Sequence, residues 1–102
     1  MKVIRIKPRC SPELMDIPNT LEALQKEVGG FIETLTFASD CCIVCNEEGM
    51  NQRLPVNLSF CGNLFFGTIL FVGVRGEDFC DVPEKLQERF ADGCYVYQIR
   101  KE

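Results

Sequence analysis

The seven cysteines are the residues whose type and spacing most directly suggest chemistry in this 102-residue chain. Cys42 and Cys45 are separated by two residues and precede a glycine-containing turn. A C-x-x-C pair at such a turn can hold two thiolates on one tetrahedral ion, because the turn directs both sulfurs inward. Any two of Cys10, Cys61 and Cys80, which lie in predicted loops or at strand edges, could complete the site. We expect a structural zinc ion bound by Cys42, Cys45, Cys61 and Cys80.

The same cysteines have a second interpretation as small apolar residues of the core, a common role for free cysteine. In a regular strand the side chains alternate, so Cys41 and Cys45 would share one face and Cys42 would lie on the other. A redox role would need the C-x-x-C motif at the start of a helix, whereas here it lies within an apolar run. Disulfides are not expected, because the count is odd and a cytosolic compartment keeps thiols reduced.

Catalysis is not expected, because the chain contains no histidine. This absence excludes a Ser-His-Asp triad, a Cys-His dyad and histidine-ligated metals. The adjacent acids Glu47 and Glu48 have no accompanying nucleophile or base, and residues 73–76 lack the length and the lysine of a phosphate-binding loop. We therefore predict a protein that is not an enzyme, built as a single domain over residues 1–102.

Charge is unevenly distributed, although the net charge is only −4. Acids dominate residues 13–48 and 77–92, whereas residues 1–10 carry four basic residues and no acid. An acidic surface attracts a basic protein partner through its field. The alternative is that these acids serve only as helix caps and solubilising groups. We expect partner contacts at Glu77, Asp78, Asp81, Glu84 and Glu88.

The hydrophobic periodicity predicts an α+β fold, with a mostly antiparallel sheet of about five to six strands and two short helices in a single domain. Asn19 is expected to cap the first helix, over residues 20–28, and Asp81 the second. Residues 50–64 show no period and are expected to be irregular. Strands are predicted at 2–7, 14–17, 31–37, 41–45, 65–74 and 94–99.

No membrane segment is predicted. The longest apolar stretch, 65–74, is about half of what is needed to cross a bilayer. The first nine residues mix apolar and basic side chains and lack the apolar run of a signal peptide. We therefore expect a cytoplasmic protein that binds no membrane.

A series of motifs resembles a family of small proteins found in bacterial phages, plasmids and conjugative elements. These motifs are MKVIRIKP at 1–8, NTLEALQ at 19–25, VGGFIE at 28–33, CNEEG at 45–49, LPVN at 54–57 and GTILFVG at 67–73. The resemblance covers about residues 1–80, and the family has no assigned chemistry to carry over. Four cysteines depart from its pattern, which suggests a metal site particular to this member: Cys10, Cys61, Cys80 and Cys94.

The chain is also similar in size and acidity to phage anti-CRISPR proteins. This similarity implies an inhibitor that binds a CRISPR effector nuclease, or another basic host-defence protein, and blocks nucleic-acid loading. It would act in the bacterial cytoplasm without binding nucleic acid itself. An alternative is a small-molecule or nucleotide-binding accessory protein with a pocket near Arg53 and Asn57. A third, weaker alternative is a DNA-contacting regulator that uses the basic first strand.

Overall fold

The computed structural model describes residues 1–60 and 62–91. The predicted strand at 94–99, together with Cys61 and Cys94, lies outside these residues. In chain order the elements are β1 (Lys2–Ile6), β2 (Glu13–Asp16), α1 (Leu21–Val28), β3 (Ile32–Ala38), β4 (Cys41–Asn46), β5 (Val56–Phe60), β6 (Asn63–Phe66), β7 (Ile69–Arg75), β8 (Asp78–Cys80) and α2 (Glu84–Ala91).

The strands form a six-stranded sheet and a separate two-stranded hairpin. The order in the large sheet is β2-β1-β7-β4-β3, with β8 paired to the end of β7, and β5 pairs with β6. Every pairing is antiparallel. The predicted α+β class, with a mostly antiparallel sheet and two short helices, is confirmed. No helix in the described part of the chain is long and apolar enough to cross a membrane.

The large sheet has a separate apolar core on each face. On one face, α1 packs through Leu24 and Val28 against residues that include Val44 and Val72. On the other face, the β5–β6 hairpin and α2 cover a core centred on Phe71. Three further aromatic rings contact that of Phe71 in edge or tilted geometry: Phe37, Phe60 and Phe90. The rings of Phe37 and Phe60 also contact each other edge to face. Both faces of the central strands are buried, which explains their nearly continuous apolar sequence.

Helix α1 is bounded by two local signals, and the prediction missed one of them. Thr20, not Asn19, is the N-cap, and its side chain accepts a hydrogen bond from the backbone N–H of Ala23 at 3.1 Å. The side chain of Asn19 instead donates to the carbonyl oxygen of Phe79 at 2.9 Å. At the other end, Gly29 takes the left-handed conformation, with φ 82°, that ends many helices.

The region from 50 to 68 contains more structure than its sequence predicts. The expected strand at 65–74 is interrupted at Gly67, whose φ of 80° separates β6 from β7. The side chain of Asn57 in β5 donates to the carbonyl oxygens of Ile6 at 2.8 Å and Gly67 at 2.7 Å. These hydrogen bonds attach the small hairpin to the large sheet. Residues 56–60 and 63–64, which were predicted to be irregular, therefore lie in strands.

Candidate partner-binding surface

The five acidic residues expected to contact a partner lie along one short segment, from the turn before β8 to the middle of α2. All five are exposed: Glu77, Asp78, Asp81, Glu84 and Glu88. Two contacts hold this segment in place. The N–H of Val82 donates to the carbonyl oxygen of Lys2 at 2.9 Å, and the side chain of Gln87 donates to the carbonyl oxygen of Val82 at 2.9 Å. We call these five residues and the backbone between them the β8–α2 acidic segment.

Asp81 has a structural role within this segment. Its Oδ1 accepts a hydrogen bond from the backbone N–H of Lys2 at 2.8 Å, which ties the segment to the start of β1. Asp81 was predicted to cap the second helix. Its side chain accepts the hydrogen bond of Lys2 instead, and α2 begins only at Glu84. A Cβ atom at Gly73 would overlap the carbonyl oxygen of Asp81. Glycine is therefore needed in β7 for the acidic segment to cross so close to the sheet.

The other four acids of the segment are available to a partner. Among the described residues, no ion pair involves Glu77, Asp78, Glu84 or Glu88. Glu84 and Glu88 are one helical turn apart, so their like charges repel across the same side of α2. The nearby Lys85 is directed to Asp40, at 3.4 Å.

Two acids of the first acidic stretch, Glu13 and Glu27, are in a different environment. Arg5, in β1, forms ion pairs with Glu13 of β2 at 2.7 Å and with Glu27 of α1 at 2.8 Å. Hydrogen bonds to Glu27 and then to Glu13 raise the pKa of Arg5 above its ordinary value. This cluster, which we call the Arg5 cluster, joins β1, β2 and α1. It also removes one positive charge from the basic first strand that the DNA-binding alternative requires.

The three cysteines of β4 are buried, and two of them belong to the two cores. Cys42 packs in the core beneath α1, whereas Cys45 belongs to the core that contains Phe71. The two thiols of the C-x-x-C motif therefore lie on opposite faces of the sheet and cannot bind one ion without a change in β4. Cys80 is half-buried in β8, and Cys61 lies outside the described residues.

The β4 thiols are also in environments that disfavour the thiolate. Burial raises the pKa of Cys41, Cys42 and Cys45 from 9.0 to about 11, with smaller contributions from Asp40 at Cys41 and Glu33 at Cys45. Within residues 1–60 and 62–91, no group of three or more His, Cys, Asp or Glu side chains could hold a metal ion. The zinc site stays a prediction.

The pocket expected near Arg53 and Asn57 is not formed by that pair. Arg53 is exposed in a turn with φ 59°, whereas the side chain of Asn57 is fully buried. Its amide group is bonded to two backbone carbonyls, and its Oδ1 has no hydrogen-bond partner among the described residues. A cavity of about 200 Å³ lies nearby, between β3, β4 and β6. Its volume is below the range of about 300 Å³ and upward that is typical of ligand pockets.

Comparison with known proteins identifies the family of the chain. Residues 1–94 match the sequence model of the family described as domain of unknown function (DUF3846), and the chain belongs to that family. The matched range includes both helices, all eight described strands and the whole β8–α2 acidic segment. No curated protein and no solved structure matches the chain.

Proposed function

We propose that this protein is a non-enzymatic anti-defence protein of a phage or mobile element, and that it binds a CRISPR effector nuclease and blocks nucleic-acid loading. The observation that supports this proposal is the difference between the acids. Glu13 and Glu27 are both paired with Arg5, whereas Glu77, Asp78, Glu84 and Glu88 are exposed and make no ion pair with described residues. The β8–α2 acidic segment is thus an exposed group of acids, close together in the chain, that suits a basic partner.

Electrostatics explains how such a segment could inhibit a nuclease. Nucleic-acid channels are lined by lysine and arginine, because neutralising phosphates supplies most of the non-specific affinity. An acidic protein surface with complementary potential is drawn to the same channel and accelerates its own association. Occupying the channel then excludes DNA or RNA, so inhibition requires neither catalysis nor direct nucleic-acid binding by the inhibitor.

The source and location in the proposal depend on the sequence resemblance. The motifs at 1–8, 19–25 and 67–73 resemble proteins of phages, plasmids and conjugative elements. A protein of such an element meets defence nucleases in the cytoplasm of its bacterial host. Family membership supports a common domain over residues 1–94 and leaves the partner to experiment.

The test is a cleavage assay with purified CRISPR effector nucleases. The protein is incubated with each effector at low ionic strength before target DNA is added, because salt screens exposed charges. We expect DNA to remain uncut and unbound with at least one effector, and protection to weaken as salt is raised. Addition after DNA has bound serves as the order control and should protect less. If no effector binds the protein or spares its target, the anti-CRISPR proposal is refuted.

Zinc binding is a separate part of the proposal and needs its own measurement, because Cys42 and Cys45 lie in opposite cores and could share an ion only after a change in β4. If Cys42, Cys45, Cys61 and Cys80 share an ion, elemental analysis should find about one zinc per chain. A chelator or the change Cys45→Ser should release it. A metal-free protein whose stability does not respond to a chelator would assign Cys42 and Cys45 to the cores alone.

A further inference from the structure

A groove of about 390 Å³ separates α2 from the hairpin formed by β1 and β2. Its apolar lining includes Ile4, Leu14 and Phe90, and Glu84 and Glu88 line it from the side of α2. Leu14 is 52% exposed, although it lies on the sheet face that forms a core further along. The groove therefore combines an apolar floor, on which Leu14 is exposed, with acidic groups along one wall.

The floor of this groove is fixed by the main core. Leu14 is paired in register with Ile4, so both side chains lie on the same face of the sheet. The ring of Phe90 lies 5.1 Å from that of Phe71, and Phe71 is fully buried. A ligand that enters the groove meets a preformed surface and has little protein ordering to oppose its binding.

The strand beside the groove is an edge strand. In the described part of the chain β2 pairs only with β1, so no described strand lies beside its outer backbone groups. Open edges of this kind bind extended peptides, which add as a further strand and direct alternate side chains to each face. A peptide bound there would place one set of side chains beside Leu14 and towards α2.

The acidic wall restricts which peptide would bind. Glu84 and Glu88 are one turn apart on α2, and neither forms an ion pair with a described residue. The third acid at the groove, Glu13, is already paired with Arg5. A lysine or arginine in the groove would meet Glu84 and Glu88, whereas an acidic peptide would be repelled.

We propose that this groove binds an extended segment of a partner protein, in which an apolar side chain is flanked on the same face by lysine or arginine. The apolar side chain covers Leu14 and Phe90, the cations pair with Glu84 and Glu88, and the backbone adds to the edge of β2. This inference rests on the proposed function for its partner, a protein with a basic surface, and names the part of that surface that is recognised.

The experiment uses the full chain and a fluorescent synthetic peptide. In the peptide, threonine residues on one face alternate with lysine, valine and lysine on the other face. Two control peptides replace lysine by glutamate or valine by serine. We expect the first peptide alone to bind. Its affinity should fall at least about fivefold for Glu84→Gln with Glu88→Gln, and similarly for Leu14→Ser. The matched variants Glu22→Gln with Glu48→Gln, and Leu64→Ser, change exposed residues elsewhere and should bind normally.

Several results would overturn this inference. These are no binding, equal binding of the control peptides, or equal loss in the matched variants. Dimerisation of the protein that Leu14→Ser abolishes would make a second copy the occupant. Affinity that rises after Arg100→Glu with Lys101→Glu would make the end of the chain itself the occupant. If the groove variants bind an effector normally and no peptide binds, the groove proposal alone is refuted. If the peptide binds but no effector does, the proposed function alone is refuted.

Discussion

Two groups of acidic residues in this protein differ in their ion pairing. In the Arg5 cluster, Glu13 and Glu27 share one guanidinium and join β2 and α1 to β1. In the β8–α2 acidic segment, Glu84 and Glu88 face the groove without a cation among the described residues. The comparison shows that the number of acids in a stretch does not reveal which of them are free. Their availability depends on where one arginine is placed in the sheet.

The support beneath the two regions differs as well. The Arg5 cluster is formed by side chains alone, whereas the acidic segment is held by hydrogen bonds of Val82 and of the Asp81 side chain to the backbone of Lys2, and it approaches Gly73 closely. Removing the Arg5 side chain should therefore damage the first region, and adding a methyl group at Gly73 should damage the second.

The largest effect is expected from Gly73→Ala. The new Cβ overlaps the carbonyl oxygen of Asp81, so either β7 or the acidic segment must move. We expect a loss of about 3 kcal/mol or more in the free energy of unfolding, measured by urea denaturation. Gly29→Ala is the control, because it meets no atoms and carries only the strain of φ 82°, about 1 kcal/mol. Equal losses for the two variants would contradict a close backbone approach at Gly73.

Alkaline pH should weaken the cores of β4, which lie between the two regions. Burial raises the pKa of the folded-state thiols of Cys41, Cys42 and Cys45 from 9.0 to about 11. Between these values the unfolded chain releases protons that the folded chain keeps, so stability is complete below pH 9.0 and falls as pH rises to about 11. At about pH 10 the loss should be on the order of 1 kcal/mol per thiol.

Urea denaturation across this pH range measures the loss. The variant Cys42→Ala removes one thiol from the core beneath α1 and should show a correspondingly shallower decline. A flat profile for the natural chain would mean that these thiols do not differ in pKa between the folded and unfolded states.

An intermediate effect is expected from Arg5→Ala. The change leaves Glu13 and Glu27 close together without their shared cation, and the side chains of Arg5 and Glu27 are only 19% and 18% exposed. We expect a loss of about 2 kcal/mol in unfolding free energy. Arg75→Ala removes an exposed arginine at the end of β7 and should cost much less. Similar losses would show that the Arg5 cluster contributes no more than a surface charge.

The smallest effect on stability is expected for the double variant Glu84→Gln with Glu88→Gln. Removing the repulsion along α2 stabilises the helix by about 0.3 kcal/mol, whereas loss of the charge of Glu84 from the first turn costs a similar amount. The thermal midpoint should therefore change little. A clear loss of stability would mean that these carboxylates support the fold, as those of the Arg5 cluster do. The two acidic regions would then no longer differ.

Much of the fold follows from patterns in the sequence. Alternation along residues 2–6 and helical spacing in 21–28 both predict elements that the structure contains. The prediction that Asn19 is the N-cap failed because Asn19 and Thr20 are both residue types that cap helices. Only the contact of Asn19 with Phe79 distinguishes their roles. The prediction of one continuous strand at 65–74 failed at Gly67, because an apolar run shows no break where a single glycine takes positive φ.

The site was less predictable, because its chemistry depends on contacts between distant residues. The acids of 77–88 stand out in the sequence, and they are exposed as expected. The pairing of Arg5 with Glu27 joins residues far apart in the chain and has no local signal. Gly73 does leave a signal, since a glycine inside an apolar strand often marks a close backbone approach. The groove beside Leu14 has none, because it depends on where α2 lies over the sheet.

The most direct test of the central claim compares two variants of equal charge in binding to a CRISPR effector nuclease. One neutralises the acidic segment through Glu77→Gln, Asp78→Asn, Glu84→Gln and Glu88→Gln. The other neutralises four exposed acids elsewhere, through Glu22→Gln, Glu33→Gln, Glu47→Gln and Glu48→Gln. Titration calorimetry should show a loss of about tenfold or more in affinity for the first variant alone. Equal losses for both, or no loss for the first, would contradict a docking role for the β8–α2 acidic segment.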